Sequence, residues 1–198
     1  MRYDNRGHHW RYATNPRLRE LAEAEAYRYD MEMMDAELEH DGTISAVFGS
    51  RAVTLTLGLI DSEADSLFAF GHCAILAWEI HVKTGLPLAV FTSSKATPDR
   101  WSGHVAISLG DDRFLDIQGV TSSSSIYRRY SRFGDYSDFE LMSDHDFKSR
   151  IVDPANYDDP KQYLCELEQL LLDHFADLVI EENREAIEAA VALSTVSA

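Results

Sequence analysis

The chain has 198 residues, 45% of them hydrophobic, and two cysteines: the size and apolar content of one domain, with too few thiols for a disulfide framework. Its net charge of −16 excludes electrostatic attraction to nucleic acid or to anionic membranes. No apolar run reaches the length of a membrane span, and the first ten residues lack the apolar core of a secretory signal, so a reducing cytoplasm is expected.

Residues 1–13 are polar and aromatic, with His8, His9 and Trp10 adjacent, and read as a flexible N-terminus. Thr14-Asn15-Pro16 is a helix start. From Arg17 to about His40 there is no Gly or Pro, and Leu18, Leu21, Ala22, Ala26, Tyr29, Met33 and Met34 recur at helical spacing. Thr43 to Ile60 alternates apolar with small polar residues as a strand pair would, with a turn near Phe48–Arg51. Asp61-Ser62-Glu63 caps a short helix toward Phe70.

Gly71-His72 then lets the backbone turn into a second helix whose first turn holds Cys73. Ala74 to Val82 is apolar, Thr84-Gly85 is a stop signal and Pro87 follows. After a strand, Ser93 to Ser102 forms a polar loop ending at Trp101, a wall or lid beside His104. The run His-Val-Ala-Ile-Ser-Leu, a Gly-Asp-Asp turn, and Arg-Phe-Leu-Asp make a β-hairpin, with His104 on one arm and Asp116 roughly level on the other.

Ser122–Ser125 reads as a flexible turn. In Tyr127–Phe133, arginines alternate with aromatics, a pattern that can bind phosphates or bases but that in so acidic a chain more often pairs with its own carboxylates. Residues 134–159 read as irregular, with His145 exposed. A last helix is expected from Lys161 to about Leu193, holding Cys165 as an unreactive thiol, before a frayed 194–198. Residues 151–198 carry 11 acids and 2 bases, a net of −9, which reads as a solvated acidic face.

Cys, His and Asp in this order are the parts of a thiol nucleophile, its general base and the group that orients the base. A helix N-terminus lowers a thiol pKa, and its unpaired N–H groups can hold an oxyanion. Cys73, His104 and Asp116 are therefore the expected catalytic residues, with the Cys73 N–H as one oxyanion donor and a side chain at Asp65 or Ser66 as a second. His72 and Trp101 are the expected substrate-binding residues. No cofactor or metal is expected: a zinc site from Cys73, His104 and Asp116, with His72 in reserve, ranks last, because adjacent residues of one helix turn do not easily both face inward.

The helix-start Cys73 followed by a strand of the form H-V-x-I-x-L-G, with a polar residue on the next strand, resembles the papain-like superfamily, and within it NlpC-type peptidases and transglutaminase-like hydrolases. The resemblance covers about a quarter of the chain. It implies Cys73 as nucleophile and His104 as base; Asp116 in third place resembles the transglutaminase-like set. The Gly-His-Cys-Ala context departs from the usual Asp-Cys-Ser and Cys-Trp. The resulting expectation is one α+β domain over 14–193: a papain-like core in which a Cys-bearing helix packs on a small antiparallel sheet, flanked by long N- and C-terminal helices. Its function would be that of a cysteine hydrolase or acyltransferase of peptidase, amidase or deamidase type, acting on a peptide or protein amide. The alternative is a non-enzymatic acidic binding or inhibitor protein of phage or plasmid type, docking on a basic protein and possibly mimicking DNA.

Overall fold

The computed structural model describes residues 36–38, 43–48, 51–96, 102–152, 160, 164 and 166–196. The expected helix from Arg17 lies outside them except at its end, where Ala36–Leu38 forms strand β1 rather than a last helical turn. β1 pairs with β2 (Thr43–Phe48), which pairs with β3 (Arg51–Thr56), all antiparallel. The strand pairing offered by the neighbouring edge thus overrides helix propensity at 36–38. The expected strand pair is present, but β3 stops at Thr56, and Leu57 and Gly58 turn away from it.

Two helices follow. α1 (Ser62–Phe70) is capped by Asp61, whose Oδ1 accepts from the Glu63 and Ala64 N–H groups at 3.0 and 2.9 Å. α2 (Cys73–Thr84) ends at Gly85 in the left-handed region, φ 71°, with the Gly85 N–H on the His81 carbonyl. α2 buries Ile75, Leu76, Ala77, Trp78 and Ile80. The burial of each large side chain stabilises by about 1.5–3 kcal/mol, which fixes where Cys73 sits.

The second sheet has five antiparallel strands in the order β7-β6-β5-β4-β8. These are β4 (Leu88–Ser93), β5 (Gly103–Gly110), β6 (Arg113–Asp116), β7 (Gly119–Ser122) and β8 (Tyr136–Met142). Alternate β5 residues serve two separate apolar clusters. Val105, Ile107 and Leu109 join a large cluster with α1, α2 and β3, and Ala106 joins a smaller one with Phe91, Phe114, Ile126 and Tyr130. Helix α3 (Ser123–Tyr130), which carries Ile126 and Tyr130, covers this second face.

The C-terminal half departs from the sequence reading in three places. The serine run is a helix cap rather than a flexible turn: Ser122 Oγ accepts from Ser125 N at 3.4 Å. Residues 134–152 are ordered as β8, a short helix α4 (Asp144–Phe147) and a π-helical turn (Lys148–Val152). The expected single last helix is two, α5 (Glu166–Glu182) and α6 (Arg184–Val196), broken at Asn183. Cys165 lies outside the described residues. The result is an α+β architecture, a small antiparallel sheet clad by helices. α5 is tied to α2 through Lys83, whose Nζ lies 2.5 Å from Asp173 and 2.9 Å from Asp177. Among the described residues no helix is long and apolar enough to cross a membrane.

Candidate active site

The three expected side chains converge where β5 begins and β6 ends. Helix α2 presents Cys73 from its first turn. The β5–β6 hairpin closes through a two-residue turn at Asp111-Asp112, φ 50° and 56°, with a register shift at Leu109. Ile107 faces Leu115, so Asp116 comes level with Ala106 and His104 lies diagonally beyond it, not directly opposite as the sequence suggested. A diagonal pair is within reach of long side chains. His104 Nε2 lies 2.9 Å from Asp116 Oδ2. A carboxylate can only accept here, so the ring proton is on Nε2.

The carboxylate is held on three sides. Its Oδ1 accepts from the Gln118 N–H at 2.9 Å, and its Oδ2 also accepts from Arg129 Nη1 at 2.8 Å. His104 is fully buried and Asp116 is 5% exposed. The imidazole stacks on Tyr130 with ring centroids 4.2 Å apart and an interplanar angle of 22°. With Nε2 taken, Nδ1 is the nitrogen left for the thiol. It is buried and makes no hydrogen bond of ordinary geometry, yet the ring is close enough to Cys73 for its charge to lower the thiol pKa.

The electrostatics favour an ion pair. Burial pushes the Cys73 thiol up, but the charge of the nearby His104 ring, helped by the Val105 backbone, outweighs burial, and the pKa falls below its ordinary value. Burial pushes His104 down, but the Cys73 charge and the Asp116 hydrogen bond outweigh it, and the imidazole is raised to about 9. Burial pushes Asp116 up, but His104, then the Arg129 charge and the Gln118 N–H, hold it below the usual carboxylate range. Positive and negative groups therefore alternate along Arg129, Asp116, His104 and Cys73. Cys73 is a buried residue, 8% exposed, and lines a small cavity with Phe68, Leu76, Val105, Leu115 and Asp116.

Of the expected substrate-binding residues, His72 takes the N-cap position of α2, its N–H on the Leu67 carbonyl and its carbonyl accepting from Leu76 N. Trp101 lies outside the described residues. Asp65, weighed as an oxyanion donor, lines a polar cleft with Asp61, Gln118, Glu182 and Asn183. Sequence reasoning missed the roles of Arg129 and Tyr130, although their arginine–aromatic run was noted. The expectation that an arginine there pairs with one of the chain's own carboxylates holds for Arg129. Among the described residues, no group of three or more His, Cys, Asp or Glu is placed to hold a metal ion.

Protein-family models, curated proteins and solved structures give no match to this chain.

Proposed function

We propose that the protein is a cysteine-dependent hydrolase or acyltransferase acting on a peptide or protein amide, with a papain-like arrangement of nucleophile, base and orienting carboxylate. The observation that carries this reading is the buried His104–Asp116 pair at 2.9 Å beside a helix-start thiol whose pKa is lowered. The Cys73 thiolate attacks the carbonyl carbon, forming a C–S bond and an oxyanion that faces the first N–H groups of α2. The C–N bond then breaks as the His104 imidazolium gives its Nδ1 proton to the leaving amine. Water, or an acceptor amine, loses a proton to Nδ1 and attacks the thioester. The C–S bond breaks and the thiolate–imidazolium pair is restored. Asp116 stays ionised throughout and steadies the imidazolium.

The test compares alkylation of the two cysteines by iodoacetamide at pH 6, read by peptide mass. Selective labelling of Cys73 is expected. Equal labelling of Cys165, or an amidase activity untouched by Cys73→Ala, would overturn the reading. The competing non-enzymatic reading draws on the net charge of −16 and the burial of Cys73. It requires salt-dependent binding to a basic protein that Cys73→Ala leaves unchanged.

A further inference from the structure

Beyond the ring stacked on His104 lies an exposed surface that the chemistry above does not use. Tyr130, stacked on His104, also contacts Phe70 (centroids 5.4 Å apart) and Phe133 (6.5 Å). Phe70 and Phe133 contact each other at 5.8 Å, and each is 39% exposed. Phe70 ends α1, three residues before Cys73. The Arg132 guanidinium sits 4.7 Å from both phenyl centroids. Stacking orders the guanidinium by its face and leaves its N–H edge for an acceptor. In a chain with 34 acids against 18 bases, Arg132 nevertheless pairs with no carboxylate among the described residues. Lys95, also exposed, packs its stem beside Gly134, the residue after Phe133.

We infer that Phe70, Phe133 and Arg132 form a substrate subsite for an acyl chain bearing a carboxylate on an apolar stem next to the reacting carbonyl. The two rings take the stem, and the Arg132 edge, with Lys95 alongside, takes the carboxylate. This rests on the proposed thiol chemistry but assigns its specificity. The overall charge of the chain repels anions, so this local cation is what would admit one.

The experiment uses two thiol-directed probes that differ only in charge, the chloromethyl ketones of N-acetyl-glutamate and N-acetyl-glutamine, with Cys73 modification followed by mass. Wild type should react about fivefold faster with the glutamyl probe, the size of one solvent-facing ion pair. Arg132→Gln should bring the ratio to about one while leaving the iodoacetamide rate at Cys73 unchanged, and Phe70→Ala should slow both probes together. A ratio that Arg132→Gln does not alter overturns the subsite while the thiol chemistry stands. Failure of iodoacetamide to select Cys73 overturns the thiol chemistry itself, and the subsite with it.

Discussion

Replacing Asp116 with Asn isolates the part of the site that polarises the thiol. In the native arrangement Oδ1 accepts from the Gln118 N–H, and Oδ2 accepts from both His104 and Arg129. The Asn side chain has one acceptor oxygen. If that oxygen keeps Gln118, the amide N–H groups point at His104 Nε2 and at a cation. Nε2 must then accept, the ring proton moves to Nδ1, and the imidazolium loses its counterion. Two effects on Cys73 oppose each other: loss of the Asp116 charge by itself favours the thiolate, while loss of the imidazolium disfavours it. The His104 charge acts on Cys73 more strongly than the Asp116 charge does, so the thiol pKa should rise. His104 stands at about 9 against an ordinary 6.5, and Asp116 supplies part of that rise. A raised Cys73 pKa slows alkylation at every pH below it, and each tenfold loss of rate corresponds to about 1.4 kcal/mol of lost coupling. The assay is the pH dependence of the Cys73 alkylation rate, with urea titration confirming that the variant is folded. A profile superimposable on wild type would refute the coupling.

Four further outcomes are expected. In wild type, reactivity of the ion pair should appear as pH rises through the lowered Cys73 pKa. Substrate turnover should decline as pH passes about 9, where His104 loses its proton, giving a bell in kcat/KM. Arg129→Gln should change that bell and slow turnover with little change in KM, whereas a merely structural role would lower stability and leave the pH limbs in place. His174 is buried, accepts from the Gly58 N–H at 3.0 Å, and burial lowers it to about 4. Its unfolded form binds a proton near 6.5, so stability should fall by about 3 kcal/mol between pH 6.5 and 4, and His174→Gln should flatten that part of the urea-midpoint curve. Gly134→Ala should destabilise by at least 2 kcal/mol, about the cost of strained backbone: its Cβ would meet Ser93 Oγ at 2.1 Å, and φ is 144°. Thermal unfolding measures it.

Local signals made the centre of the fold legible. Asp61 as a cap, Gly85 as a stop and the Gly-Asp-Asp turn each act within a few residues, so α1, α2 and the β5–β6 hairpin could be read directly. Elements that depend on distant partners were not legible. β8 is an edge strand whose exposed Asp138, Glu140 and Leu141 mask its pairing with β4, so its residues looked irregular. Asn183 breaks the last helix without Gly or Pro, while the apolar pattern runs on across it. The approach of His104 to Asp116 followed from hairpin alternation, but its diagonal register required the bulge at Leu109. Arg129 reaches Asp116 across 13 residues and a strand-to-helix turn, a contact no periodicity encodes.

The tight turn at Asp111-Asp112 has a kinetic consequence. His104 and Asp116 are only 12 residues apart, and closing so short a loop takes well under a microsecond, with hairpin formation in microseconds. The base and its carboxylate can thus meet early, in a nascent ribbon, whereas docking of the sulfur-bearing helix must wait for the apolar face to collapse. Nucleation would precede activation: the imidazole is oriented first and gains its partner last, which keeps a half-made chain chemically silent.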